Sequence, residues 1–188
     1  MSGPPHSIDL LCSSCRRNAP GFDYARSAAR YEDVMREALH ALKFRGRRGL
    51  SAPLGALLVE AMEEGRLPAG VPALLVPVPL HPRRERERGF NQASLLARRV
   101  GLAWGVPVGG DVLVRVVATP SQTELDAPAR RANVRAAFRL RRPELIGGRH
   151  VLLVDDILTT GATLSECARC LREGGAATVG ALTVARVV

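Results

Sequence analysis

Val151-Leu152-Leu153-Val154-Asp155-Asp156-Ile157-Leu158-Thr159-Thr160-Gly161-Ala162-Thr163-Leu164 is the stretch that decides the fold. With His150 in front, it opens as a continuous apolar run, the pattern of a strand buried on both faces of a parallel sheet. The expected strand, His150–Asp155, ends in two carboxylates, and a small turn then opens a helix expected over Ala162–Glu173. In parallel sheets, ligands sit beyond the carboxyl ends of the strands. A helix N-terminus placed there offers backbone N–H groups and the positive end of the macrodipole, which suits a phosphate. Gly161 lets the backbone approach an anion closely, and Thr159, Thr160 and Thr163 add hydroxyl donors. Asp155 and Asp156 would repel a phosphate, so accepting hydrogen bonds from sugar hydroxyls is their natural task. Successive strand residues point to opposite faces, which makes the two awkward joint ligands for a metal. A plainer reading stays open beside this one. Thr163 would cap the helix with Glu166 three residues on, and both aspartates would be solvated.

Working outward, the same alternation of strand and helix recurs. Apolar spacing predicts helices over Tyr31–Phe44, Ala52–Glu64 and Asn91–Trp104. Pro53 suits the first turn of the second, and Gly65 stops it. Strands are expected at Ala73–Val76, Val112–Val117, Ala137–Leu140 and Thr178–Val187. His81 to Gly89 is almost entirely charged and reads as a loop, and Ala118 to Asn133 as a long polar loop. Strands alternating with helices argue for an α/β fold with a largely parallel sheet. The 188 residues amount to one such domain, 21–188, behind an irregular lead-in over 1–20.

Composition narrows the chemistry. The chain is 46% hydrophobic and 24% charged, enough for a sizeable core. Its net charge is +9, and Lys43 is the only lysine. That removes any Walker-type phosphate lysine and leaves Lys43 as the sole Schiff-base candidate. Between His81 and Arg149 there are 14 arginines against six acidic residues, so nearly all the net charge sits mid-chain. Such a surplus implies a polyanionic partner, a phosphorylated small molecule or nucleic acid. Aromatic residues are 4% of the chain, thin for a platform that stacks single-stranded bases, so the small molecule leads. There is no signal peptide pattern and no apolar run of about eighteen residues, and a cytoplasmic chain is expected.

The central segment, two apolar residues followed by D-D-x-x-x-T-G-x-T, resembles the phosphoribosyl pyrophosphate (PRPP) motif of type I phosphoribosyltransferases. Three further segments resemble the ComF family: Leu39-x-x-Leu42-Lys43-Phe44-x-Gly46, Pro77-Val78-Pro79-Leu80 with Arg84 and Arg88-Gly89-Phe90-Asn91-Gln92, and Arg115 through Phe138. The resemblance covers about residues 20–188 and implies a type I phosphoribosyltransferase-like fold, a mostly parallel sheet flanked by helices, with a mobile hood loop. It further implies that Asp155 and Asp156 hold the ribose hydroxyls and that Thr159, Thr160, Gly161, Ala162 and Thr163 hold the 5′-phosphate. Arg84 and Arg88 are the candidates for pyrophosphate contacts, arginine binding phosphate oxygens bidentately, while Arg83 and Arg86 fit a solvated charge run. The 118–133 segment matches the hood, with Thr119, Gln122, Arg130 and Asn133 as its working residues.

On that resemblance the expected partner is PRPP or a related phosphorylated ribose, with Mg²⁺ entering as the pyrophosphate complex. The reaction is phosphoribosyl transfer with release of pyrophosphate. No residue stands out as a general base, and no strip that would recognise a base acceptor is visible. The alternative is a non-catalytic accessory of DNA uptake in natural competence, binding single-stranded DNA and competence-machinery proteins. An oligomer is compatible with either. Cys12 and Cys15 have knuckle spacing but are two ligands where zinc needs four, so they read as a remnant of the family's zinc ribbon, with His6 a weak third ligand and no metal site assigned. Cys167 and Cys170, on the helix after the phosphate turn, read as small buried hydrophobes.

Overall fold

The computed structural model of the chain describes residues 19–65, 67–118, 134 and 136–187. Four parallel strands form its sheet, in the order β1-β6-β5-β2: β1 (Tyr24–Arg30), β2 (Leu74–Pro77), β5 (His150–Leu158) and β6 (Thr178–Arg186). The central pair, β5 and β6, runs in register from His150 opposite Thr178 to Leu158 opposite Arg186. Residues on β5 alternate between two cores. Val151 and Leu153 pack with Leu164, Cys167, Ala168 and Leu171 of α5 (Ala162–Glu173). Leu152 and Val154 pack on the other face with α1 (Asp33–Phe44), α2 (Ser51–Gly65) and α4 (Gln92–Trp104), through Leu39, Leu42, Leu58, Leu96 and Val100. A sheet buried on both sides between helices is the architecture its apolar runs imply.

Four local features differ from the sequence reading. β5 continues past Asp155 to Leu158, because β6 is long enough to pair with it throughout. Leu113–Arg115 (β3) and Phe138–Leu140 (β4) form a separate antiparallel pair beside α5, shorter than expected and outside the parallel sheet. β1 escapes the pattern search because Tyr24-Ala-Arg-Ser-Ala-Ala-Arg has no bulky apolar run, as befits a half-exposed edge strand. It is held by side chains as well as its ladder: Tyr24 Oη lies 2.7 Å from His150 Nε2, and Ser27 Oγ 2.7 Å from Thr183 Oγ1.

The fourth feature is the charged stretch, which is a helix. α3 (Pro82–Arg88) begins with His81 Nδ1 accepting from Arg83 N, has Pro82 at its start and stops at Gly89, whose φ of +78° is left-handed. It has no apolar face, so periodicity could not find it. Residues 1–18, with Cys12 and Cys15, lie outside the described residues, as do Thr119, Gln122, Arg130 and Asn133. Among the described residues no helix is long and apolar enough to cross a membrane.

Candidate functional site

A cleft of about 550 Å³ opens at the carboxyl edge of the sheet. Each parallel strand exits into it: Tyr31 after β1, Val78 to Leu80 after β2, Asp155 to Leu164 from β5 into α5, and Val187 after β6. All seven residues named from the central motif, Asp155, Asp156, Thr159, Thr160, Gly161, Ala162 and Thr163, line it together with Arg84 and Arg88.

The turn from β5 to α5 is built around Gly161, whose φ of +74° puts it in the left-handed region and makes it the N-cap. Thr160 Oγ1 accepts from Ala162 N at 3.4 Å. The helix starts at Ala162, so Thr163 is inside it and the capping-box reading does not hold. Glu166 faces elsewhere, accepting from the Ala136 backbone N–H at 2.7 Å and pairing with Arg169. The open end of α5, with its N–H groups and positive dipole end, therefore faces the cleft.

The two aspartates are inequivalent. Asp156 is buried, with its side chain 4% exposed, on the α1 side of the sheet, where its Oδ2 forms an ion pair with Lys43 Nζ. The pair is a charge contact without hydrogen-bond alignment. Asp155 Oδ1 accepts from the Asp156 backbone N–H at 2.8 Å, and strand alternation turns its carboxyl toward the other face. Burial first, and the adjacent Asp156 second, push the Asp155 carboxyl well above the usual carboxylate range, while Lys43 opposes them. A carboxyl so placed is poised to share hydrogen bonds with hydroxyl groups.

Across the cleft, α3 explains why two of its four arginines face inward. Arg84 and Arg88 are one helical turn apart on its half-buried side, whereas Arg83 and Arg86 are exposed and Arg83 pairs with Glu87 at 2.9 Å. Arg88 Nη1 donates to Gln92 Oε1 at 2.5 Å, and its guanidinium carbon lies 5.5 Å from the Phe44 ring centroid. Burial lowers its pKa, as does the neighbouring Arg84, while Asp156 and Asp155 raise it. The loop after β2 is pinned by buried Asn91, whose Nδ2 donates to the Val78 carbonyl at 3.0 Å while Oδ1 caps α4 through Ala93 N at 2.9 Å.

Among the cleft-lining residues that sequence reasoning did not assign to the site, four carry charged, polar or aromatic groups and are named in the segments of the family resemblance: Lys43, Phe44, Gln92 and Arg115. Arg115, on β3, lies 5.4 Å over the Phe138 ring, and burial lowers its pKa. The signal for all four was present, since each stands in a segment quoted for the family resemblance. What was missing was any local reason to place them at the site. Cys167 and Cys170 are free thiols buried on α5, with the Cys167 thiol pushed up by burial and by Asp155.

The profile of the phosphoribosyl transferase domain matches residues 86–187. "DNA utilization protein YhgH" of Salmonella typhi is 36% identical over 178 residues, covering 94% of this chain and 78% of that protein. "Competence protein F" of Haemophilus influenzae is 31% identical over 87% of this chain and 73% of its own length. "Competence protein ComFC" of Bacillus subtilis is 31% identical over 99% of this chain and 76% of its own length. With a carboxylate pair and a glycine turn at the end of a central parallel strand, and relatives that align over nearly its whole length, the chain belongs to the ComF family of phosphoribosyltransferase-domain proteins.

Proposed function

We propose that the cleft binds PRPP and that the protein transfers the phosphoribosyl group to an acceptor with release of pyrophosphate. The observation that carries this reading is one cleft holding three chemistries. It combines a helix N-terminus for a phosphate, a carboxylate pair, and inward-facing arginines across from it. In this reading the 159–163 turn takes the 5′-phosphate, Asp155 and Asp156 accept from the ribose 2′- and 3′-hydroxyls, and Arg84 and Arg88, with Arg115, grip the pyrophosphate. Thr119, Gln122, Arg130 and Asn133 complete it as the hood. The volume suits a ligand of this size, small-molecule sites spanning roughly 300–1,000 Å³.

The donor set fits Mg²⁺ brought in by the substrate. Magnesium can be held by one carboxylate plus substrate phosphates, and one of Asp155 and Asp156, the acidic side chains that line the cleft among the described residues, would supply it, since the two point to opposite faces. Bound to pyrophosphate, the ion would neutralise charge on the leaving group. The rest falls to the protein. The bond from the ribose C1 to pyrophosphate breaks, a bond from C1 to the acceptor forms, and the acceptor gives up a proton. No protein nucleophile is required. Arginines at the departing phosphates, carboxylates beside a ribosyl carbon that becomes cationic, and exclusion of water are the means. The site lies in a cytoplasmic protein on this reading. Pyrophosphate release from PRPP and Mg²⁺, screened over nucleobase and amine acceptors, tests turnover. Release abolished in Asp155→Asn/Asp156→Asn is the expected result, and no release with any acceptor would leave a binding protein rather than a transferase.

A second reading is favoured by charge outside the cleft. Exposed Arg45, Arg47 and Arg48 follow the cleft-lining Lys43 and Phe44 in the chain, and exposed Arg83 and Arg86 flank the cleft-lining Arg84 on α3, a basic rim along the chain; relatives carry the names DNA utilization and competence protein. We propose single-stranded DNA and competence-machinery proteins as partners on that rim. Binding should weaken steeply with salt through counterion release. Absence of micromolar affinity for single-stranded DNA even at low salt would end this reading.

A further inference from the structure

The last turn of α1 sets two neighbouring side chains against the two charge sets of the cleft. Lys43 pairs with Asp156, and Phe44 lies beneath the Arg88 guanidinium. The turn is rigidly seated, because Leu39 and Leu42 are fully buried in the core beneath it. Phe44 itself is 64% exposed, so folding gains little from its ring. The ring lies against the His40 ring one turn back, at 4.8 Å between centroids, and against the Arg88 guanidinium at 5.5 Å. The same guanidinium is held through Nη1 by Gln92 Oε1, and Arg88 is half-buried, a setting in which attraction between a cation and a ring face is stronger than in water. An exposed phenylalanine with no core to join, set against a half-buried arginine, calls for a role other than packing.

We propose that Phe44 is a positioning residue for Arg88, holding the guanidinium with Gln92 in the orientation that receives an anionic ligand. Phe44 acts on the ligand only through the arginine. An arginine already confined between a ring and an amide loses less freedom when it grips a phosphate than one that swings in solvent. Where ligand affinity is measured, the inference rests on the reading of this wall as a pyrophosphate site. The confinement of Arg88 itself does not rest on that reading and is observable in the free protein.

The test compares wild type with Phe44→Leu, Phe44→Tyr, Arg88→Gln and the Phe44→Leu/Arg88→Gln pair. The Arg88 Nε–H resonance of arginine-labelled protein, without ligand, is the first readout. Phe44→Leu is expected to remove its ring-current shift and raise its mobility, and Phe44→Tyr to keep both. Calorimetric titration with magnesium pyrophosphate is the second. Phe44→Leu is expected to weaken binding about three- to tenfold, Phe44→Tyr to stay within about twofold, and Phe44→Leu to add nothing in the Arg88→Gln background. The thermal midpoint of Phe44→Leu should stay at the wild-type value. An unchanged Arg88 resonance in Phe44→Leu, an affinity loss that persists in the Arg88→Gln background, or a loss of thermal stability would each overturn the inference. If wild type binds no pyrophosphate, the proposed ligand fails, and the Arg88 resonance alone decides the role of Phe44.

Discussion

Lys43 is the residue whose removal tests the electrostatics of the cleft most sharply. Its side chain is 19% exposed and that of Asp156 4%, so the pair sits largely out of water. Removing one partner of a buried pair costs about 3–5 kcal/mol, because the other charge is left uncompensated. With Lys43 partly solvated, Lys43→Met is expected toward the lower end, about 2–4 kcal/mol near neutral pH. For a chain of this size that is roughly 5–15 °C in thermal midpoint. The loss should depend on pH in a definite direction. The Asp155 carboxyl is held above its usual range by burial and by Asp156, with Lys43 opposing. A carboxyl whose pKa is higher in the folded state contributes stability that is full at low pH and lost as pH rises through the folded value. Without Lys43 that value climbs further, so the variant suffers most at neutral and alkaline pH and approaches wild type on acidification. Lys43→Met/Asp156→Asn, which leaves no unpaired charge, should recover much of the loss. Thermal melts of wild type, Lys43→Met, Asp156→Asn and the double variant from acid to mildly alkaline pH are the assay. A deficit independent of pH, or a double variant as unstable as the sum of the two single ones, would refute the reasoning.

Three further expectations follow from local geometry. A Cβ at Gly180 would stand 2.5 Å from Tyr24 Oη, so Gly180→Ala should displace Tyr24 from His150 and cost about 1–3 kcal/mol, read in denaturant melts; an unchanged midpoint would contradict it. Burial, then Asp23, push the Tyr24 hydroxyl up to about 12. Its contribution is therefore intact below the ordinary tyrosine value and lost as pH rises toward 12, and ultraviolet titration should find one of the two tyrosines ionising late, an outcome that Tyr24→Phe abolishes. Asn91→Ala removes a helix cap and the anchor of the Val78 carbonyl together, which should cost about 1–2 kcal/mol, and a loss under half of that would show the anchor to be dispensable.

What the sequence made legible was local and periodic. The run from His150 to Leu153, the turn at Gly161 and the helix from Ala162 each follow from a pattern within a dozen residues, and the α/β class follows from their repetition. What it hid was stabilised by distant or non-periodic means. α3 has seven residues and no apolar face, so only its ends mark it: Pro82 at the start, Gly89 at the stop, and the Arg83–Glu87 pair one turn apart. Those signals were readable and would have put Arg84 and Arg88 on one face. β1 is recognisable only from its partner β6, because an edge strand needs no alternating apolar pattern. Lys43 is the plainest case. A lysine on an amphipathic helix is ordinarily solvated, and nothing nearby in the chain announces that its partner is residue 156. The roles proposed for Thr119, Gln122, Arg130 and Asn133 rest on family resemblance alone, since these residues lie outside the described ones.

The central claim is that the carboxylate pair and the glycine turn form a PRPP site. Calorimetric titration of PRPP with Mg²⁺ into wild type and Asp155→Asn/Asp156→Asn, with thermal melts to confirm that both are folded, tests it most directly. The account predicts saturable binding to wild type at one site per chain and its loss in the double variant. Binding that survives both substitutions, or a folded wild type that binds no PRPP, would contradict it.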